Sequence, residues 1–331
     1  MKPSPLMTPV HHRIRDHAMG RGKPCLVLAP MEGVTDELFR EVLTEIGEYE
    51  ACFTEFLRVS HASLGKKSIL SRLPELASGS SFTASQTPIV LQILGGNADF
   101  VSETAANALE MGVAGIDLNF GCPAPVVNRH DGGAALLKDL PRMEAIIKAT
   151  RAMVTDPKVS FSIKMRLGWD DDYTCLEAFK RAVGAGVDFV TIHARTRMQG
   201  YSPPVKWPIL GQVRELSSVP ILASGDIWSR SHIESCAKES GLSRFMVARG
   251  ALSRPNMTRF LEAEEEVLNI NYLKIFYRKA LDRNLHPGSI LRKFKQWGSY
   301  AKKGGTLPQF DELKRIENAS EYMDELERLT T

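Results

Sequence analysis

Short apolar runs and longer segments of mixed polarity alternate along the chain between Cys25 and Arg249. The runs at 25–29, 51–57, 88–94, 115–119, 159–166, 187–193, 220–224 and 245–248 each read as a strand. They are nearly continuous rather than alternating, as a parallel sheet covered on both faces requires. Between them the spacing predicts helices, one capped by Asp36 and running to Ile46, one ending at Met111, and others over 140–153, 175–183, 209–216 and 232–239. A polar, serine-rich stretch over 60–87 has no such period and is expected to be a functional insertion or a lid. Eight units of this kind in about 225 residues suit an α/β fold of the (β/α)8 type, the TIM barrel, typically ~250 residues long. A doubly wound sheet is the competing architecture, weakened because no G-x-G-x-x-G follows the first run.

Past about Leu261 the strand pattern stops. Segments 264–283, 290–303 and 308–329 read as helices, separated by His286-Pro287-Gly288 and Gly304-Gly305. Three parts are therefore expected: a leader over 1–24, a barrel over 25–260 and a C-terminal all-helical domain over 261–331. The leader holds His11, His12, Arg13, Arg15, Arg21 and Lys23 with several prolines and no apolar core of signal-peptide type, so it is expected to be disordered.

Composition changes this picture little. At 331 residues, 43% apolar and 24% charged, the chain is an ordinary globular sequence. A net charge of +3 leaves nucleic acid undecided, so the distribution of charge has to carry that argument. Between Lys274 and Lys303 the basic residues are Lys274, Arg278, Lys279, Arg283, Arg292, Lys293, Lys295, Lys302 and Lys303, against Asp282 alone. A helical period over 290–303 puts Ile290, Phe294, Trp297 and Ala301 on one face and Arg292, Lys295, Lys302 and Lys303 on the other. A solvated amphipathic helix and an RNA-binding face both fit that pattern. The 5 cysteines are odd in number, scattered and free of C-x-x-C spacing, which points to a reducing cytoplasm without a disulfide frame or a zinc site. No metal site is expected, and Asp170 to Asp172 reads as a solvated run opening a helix. No stretch approaches the ~18 apolar residues of a membrane span.

Chemistry collects around Gly115 to Leu137. The run at 115–119 breaks at Gly121, Pro123 and Pro125, placing Cys122 on a loop just past a strand's C-terminal end, and Gly132-Gly133 lead into a helix. Taken alone, such a cysteine is as readily a small buried hydrophobe. Active residues of a barrel of this type lie at its strand C-terminal ends. Those ends carry Pro30-Met31-Glu32, Gln92, Asn119 with Cys122, Lys164 with Arg166, His193 with Arg195, Ser224-Gly225-Asp226 and Ala248-Arg249. After the last two, small residues let backbone N–H groups approach a phosphate, and Arg249 adds a guanidinium of fixed fork geometry. A phosphorylated substrate or cofactor follows.

The segments APMEGVTD at 29–36, VLQILG around Gln92, DLNFGCP with GGAALL, IKMRLGWD, HARTRMQGY, SGDI and ARGAL occur together and in order. In this the chain resembles the flavin-dependent tRNA-dihydrouridine synthases, from Cys25 to about Asn256, and KFKQWGSY in the C-terminal part is most similar to the branch that acts on uridine 16 of the D-loop. The resemblance implies bound FMN, NADPH as reductant, tRNA as partner, and a protein that is monomeric and cytoplasmic. It implies that Cys122 is the proton donor. Pro30, Met31, Glu32 and Gln92 would line the flavin ring and Lys164 its pyrimidine side, with His193, Ser224, Gly225, Asp226, Ala248 and Arg249 holding the ribityl phosphate. Arg58, Asn119, Arg195 and Tyr201 would meet the target nucleotide, and Arg292, Lys293, Lys295 and Arg315 the rest of the tRNA. The chain departs from the family pattern at Phe120, often cysteine, at Ser224, commonly asparagine, and at Ala248, commonly glycine, where a methyl group would crowd the phosphate.

The implied chemistry is consistent with those residue types. Saturating the uridine C5=C6 bond takes a hydride at C6, which no side chain supplies, and a proton at C5. A thiol of ordinary pKa near ~8.5 is mostly protonated at neutral pH and suits the second task. Two other readings compete: an FMN barrel reductase acting on a small alkene or pyrimidine, and an RNA-binding relative without catalysis. The flavin absorbance of the purified protein separates the latter.

Overall fold

The computed structural model describes residues 8–17, 23–259, 268 and 270–330. Its strands are β1 (Cys25–Leu28), β2 (Ala51–Phe53), β3 (Leu57–Val59), β4 (Ile89–Gly95), β5 (Gly115–Phe120), β6 (Ser160–Arg166), β7 (Phe189–His193), β8 (Ile221–Ser224) and β9 (Arg244–Val247). All neighbours pair in parallel, and β9 pairs back onto β1. Both β2 and β3 pair with β4, at Cys52 with Ile89 and at Leu57 with Ile93, so they are two halves of one barrel strand. The eight-membered barrel is thus closed, as the alternation of runs predicts. Closure leaves no unpaired sheet edge.

The break between β2 and β3 has a purpose legible in its contacts. Glu55 turns there to accept the Val34 N–H at 3.0 Å and an Arg72 Nη1 hydrogen bond at 3.0 Å, fixing the loop that follows β1. Arg72 sits in a helix, Lys66–Arg72, followed by a 3-10 turn at Pro74–Ser78. The stretch expected to be a lid is therefore ordered structure, and Arg72 also pairs with Glu32 across the β1 loop.

Alternate residues of each strand split into two cores. Ile116, Leu118 and Phe120, with Phe161, Ile163 and Met165, face the surrounding helices. Cys25, Val27, Ala51, Phe53, Val90, Phe189, Leu222 and Met246 fill the lower barrel interior. Two members of that inner cluster come from the segment expected to be a disordered leader. A helix, Val10–Arg15, presents Val10 and Ile14 to the barrel floor, both essentially fully buried. Arg244 on β9 donates to the Ile14 and Arg15 carbonyls at 2.7 and 2.9 Å, and the His11 N–H donates to Ser160 Oγ at 3.0 Å. The leader's many charges masked this two-residue apolar spacing of i and i+4.

At the other end of the chain, helices Ile270–Asp282, Pro287–Lys303, Phe310–Leu313 and Ala319–Thr330 pack together. The expected start of the first of these near 264, and the boundary between the two domains at 260–261, lie outside the described residues. Pro287, read from sequence as a break, instead opens its helix, where a missing N–H is harmless, and His286 caps it. Trp297 is wholly buried and donates from Nε1 to the Leu252 carbonyl at 2.6 Å. Its ring and that of Phe276 lie 5.3 and 5.0 Å from Phe39 of the helix Glu37–Ile46. The helical part thus shares the barrel's outer core. Among the described residues no helix is long and apolar enough to cross a membrane.

Candidate active site

The C-terminal strand ends open into a cleft, the concave setting usual for small-molecule and cofactor sites. Pro30, Lys164, His193, Ser224, Gly225, Asp226, Ala248 and Arg249 line it, as does Tyr201. Gly121, Arg166, Ile227, Trp228 and Met246 line it as well.

After β8 the backbone turns through Gly225 at φ +113° and Asp226 at φ +51°. A Cβ on Gly225 would lie 3.0 Å from the His193 ring, so only glycine leaves both the turn and the imidazole in place. Asp226 accepts hydrogen bonds from Arg195 and, at 2.9 Å, from Arg249. Burial opposes its charge, but Arg195 and then Arg249 outweigh this and hold its pKa below the ordinary carboxylate value. Arg249 is further flanked by the rings of Tyr201 and Trp228, 5.0 and 4.8 Å away. Among the described residues His193 Nδ1 has no hydrogen-bond partner, although it is buried. Burial, with the nearby cations Arg166, Lys164, Arg195 and Arg249, keeps this imidazole neutral at physiological pH. A glycine-shaped cradle, an orphaned ring nitrogen and a held guanidinium together fit an anionic group.

A polar layer lies across the upper barrel interior. Asp117 on β5 accepts from Ser162 Oγ at 2.6 Å and from Gln92 Nε2 at 2.7 Å. Gln92 Oε1 accepts from Asn119 Nδ2 at 2.7 Å, and Asn119 Oδ1 accepts the N–H groups of Gly121 and Cys122 at 3.0 and 2.9 Å. The Cys122 carbonyl is held in turn by the Ala134 N–H and by Asn128 Nδ2. Cys122 is only half-buried, while Cys25, Cys52, Cys175 and Cys236 are buried. Burial raises its thiol pKa above the ordinary value, against the lowering pull of the Ala124 backbone, Lys164 and Arg166. The thiol is therefore protonated at neutral pH. Burial and the neighbouring Arg166 bring Lys164 down to about 8, so its ammonium is close to titration.

Several expected residues are placed differently. Gln92 is fully buried beneath the cleft, its amide shared between Asp117 and Asn119. Arg195, expected to meet a nucleotide, is 0% exposed, bound to Asp226 and, through Nε, to the Ser202 carbonyl at 2.8 Å. It braces the phosphate end rather than facing solvent. Asn119 is likewise buried, holding the Cys122 loop. Met31 is half-buried in the β1 loop, and Glu32 is exposed and paired with Arg72. Tyr201 is 60% exposed over the cleft, and Arg58 donates to the Val126 carbonyl at 3.2 Å at the rim. Sequence reasoning assigned no role to Asp117, whose signal was a carboxylate two residues before Asn119 and so on the same face of the strand.

Residues 27–329 match the model of the family described as Dihydrouridine synthase (Dus). The chain belongs to the dihydrouridine synthase family. It is 36% identical over 317 residues to the tRNA-dihydrouridine(16) synthase of Vibrio parahaemolyticus, covering 91% of this chain and 97% of that protein. It is 37% identical over 300 residues to the protein of the same name from Shewanella oneidensis, covering 88% and 92%. A solved structure of a variant of NCR from Zymomonas mobilis aligns with TM-score 0.50 at 14% identity, over 78% of this chain and 87% of that one, a likeness of fold alone.

In this family member the basic C-terminal stretch is less free than its sequence suggests. Lys293, expected to contact RNA, pairs with Asp36 and lies 4.8 Å over the Phe39 ring. Lys279 binds Glu41 and Glu45, Arg283 binds Glu41, Lys274 binds Glu327 and Lys302 binds Asp311. Arg292 is exposed and Lys295 half-exposed, neither with a carboxylate partner among the described residues, and Arg315 is exposed beyond the helix Phe310–Leu313. Gln296 donates to the Gly33 carbonyl at 2.8 Å, so the helix Pro287–Lys303 borders the β1 loop at the mouth of the cleft.

Proposed function

We propose that this chain reduces uridine 16 of tRNA to 5,6-dihydrouridine, with FMN in the cleft, NADPH as reductant and Cys122 as proton donor. The observation that carries the reading is the half-buried, protonated Cys122 thiol, the one cysteine not buried, set on a loop beside Lys164 and Arg166. The residues present fit the cofactor: His193, Gly225 and Arg249 for its phosphate, and Pro30, Lys164, Ser224 and Ala248 along the cleft. Met31 and Glu32 extend that wall through the β1 loop, and Gln92 supports it from below.

When bound, FMN supplies the hydride for C6. Lys164 places a positive charge at the cleft floor, where it favours an electron-rich ring. Cys122 holds a proton for C5, and its raised pKa keeps that proton in place until a carbanion-like carbon takes it. Arg195 and Arg249 fix Asp226, which keeps the phosphate end rigid. A paired base cannot enter such a cleft, so the uridine is flipped out, and the exposed Tyr201 ring and Arg58 at the rim receive it.

The C-terminal segment 261–331 is the proposed tRNA-holding unit, through Arg292, Lys295 and Arg315, with Lys293 serving mainly to pin the helix Pro287–Lys303 to Asp36. The buried, unpaired cysteines agree with a reducing cytoplasm, and the chain acts as a monomer. The test is direct: the purified protein shows flavin absorbance and, with NADPH and unmodified tRNA, forms dihydrouridine at position 16. Product at another position, or none, overturns the reading.

A further inference from the structure

Gln92 and Asn119 are amides, and an amide can be turned end for end at little cost in shape. Something must therefore decide which end each presents. Asn119 has to keep its oxygen on the Gly121 and Cys122 N–H groups, because the reversed amide would set two donors against two donors. It can do so only if its nitrogen finds an acceptor, which is Gln92 Oε1. Gln92 offers its oxygen upward only because its nitrogen is claimed from below by Asp117 Oδ2. An ionised carboxylate is acceptor-only, so it cannot tolerate the reversed Gln92. Every member of this chain is buried, where an unmatched donor or acceptor is costly.

We propose that Asp117 is a positioning residue for Cys122: through Gln92 and Asn119 its carboxylate sets the direction of a hydrogen-bond relay that ends on the Cys122 N–H and fixes the loop carrying the thiol. Ser162 donates to the other carboxylate oxygen and supports Asp117 without setting the direction. Burial pushes the carboxyl up to about 6, against the pull of Ser162, Gln92 and Lys164, so it is still largely ionised at pH 7. The part of this inference that concerns catalysis rests on the proposed proton-donor role of Cys122; the part that concerns the loop does not.

The relay predicts opposite behaviour for two neighbouring variants. Asp117→Asn is the same shape but offers both a donor and an acceptor, so Gln92 is free to reverse and to set its amide nitrogen against that of Asn119, which then loses its acceptor. Ser162→Ala leaves an acceptor-only carboxylate and keeps the direction, although it strips a buried oxygen of its partner and lowers the melting temperature. Adding Gln92→Glu to Asp117→Asn restores an acceptor-only group facing Asn119 at unchanged total charge.

The readout independent of the reaction is alkylation of Cys122 by iodoacetamide, followed by mass spectrometry across pH. The other cysteines are buried, so this thiol reports alone. The rate per thiolate is expected to change by about threefold or more in Asp117→Asn, to stay at the wild-type value in Ser162→Ala, and to return toward it in the double variant. With prereduced enzyme and tRNA, single-turnover dihydrouridine formation is expected to fall by about tenfold or more in Asp117→Asn, with flavin reduction by NADPH retained. Wild-type alkylation of Cys122 in Asp117→Asn, or the same change in Ser162→Ala as in Asp117→Asn, overturns the relay. Should the wild-type protein not reduce tRNA at all, the proposed function falls, while the alkylation series still decides the relay.

Discussion

Gly225 offers the sharpest quantitative test of the phosphate end. Gly225→Ala introduces a single methyl group at φ +113°, a region that side-chain-bearing residues rarely adopt. Backbone strain of this kind costs about 1–3 kcal/mol. The added Cβ would also lie 3.0 Å from His193 Cδ2, 3.1 Å from its Nε2 and 3.1 Å from Val205 Cγ2. Contacts that close force neighbours to shift, at about 1–3 kcal/mol. The sum, about 2–6 kcal/mol, corresponds to a fall in melting temperature on the order of 10 °C for a domain of this size. Gly79→Ala is the control, since Gly79 has φ +75° but open space where its Cβ would go. It should show the strain without the crowding, and full flavin content. The assay is thermal unfolding of both variants, with flavin per polypeptide read from absorbance. Gly225→Ala is expected to lose stability and most of its flavin, because the displaced imidazole belongs to the cofactor site. If it matches Gly79→Ala in both measurements, His193 and the β8 turn do not hold the phosphate.

Cys122→Ala should retain flavin and its reduction by NADPH but lose dihydrouridine formation by at least about a hundredfold, at the low end for a general acid; normal single-turnover product would remove the thiol from the reaction. The double variant Arg292→Ala, Lys295→Ala should weaken tRNA binding and flatten its dependence on salt, as lost phosphate contacts release fewer counterions, and an unaltered slope would place the RNA elsewhere. Ile14→Ala should destabilise the protein by about 2–4 kcal/mol in chemical denaturation, whereas a free leader would show no effect. For Asp117 the folded pKa of about 6 lies above the unfolded value, so stability is greatest below the unfolded pKa and falls as pH rises through 6. Across roughly pH 4 to 7 this loss is about 2–3 kcal/mol in the wild type; it should be missing from the pH–stability profile of Asp117→Asn and so appear in the difference between the two profiles.

The barrel was readable because its strands are apolar on both faces, and that pattern does not depend on distant partners. Strand edges at 89–95, 115–120 and 160–166 fall within a residue of the expected runs. The site was readable for a different reason: parallel strands deliver their C-terminal ends to one rim, so a list of polar strand ends is already a list of neighbours. Orientation within that rim was not readable. Arg195 and Tyr201 stand six residues apart in a polar loop, yet one is buried on Asp226 and the other covers the cleft. That outcome depends on Asp226, which is remote in sequence. The split of β2 from β3 was hidden for the same reason, since Glu55 turns to serve Val34 and Arg72. The helix Val10–Arg15 was missed because two apolar residues suffice to dock it when their receptor is a barrel floor built by other strands.

That docked helix has a consequence for the order in which the molecule assembles. Its hydrogen bonds reach 149 residues to Ser160 and 230 residues to Arg244. The receptor for Val10 and Ile14 includes Leu222 and Met246, on strands made near the end of the barrel sequence. The apolar side chains of Val10 and Ile14 find their receptor only there, and contacts of such separation form only after the intervening chain has been arranged. Residues 10–15 are translated before every strand and settle after all of them. Protease resistance at this helix therefore marks the moment when β9 has closed onto β1, which makes it a clock for completion of the barrel.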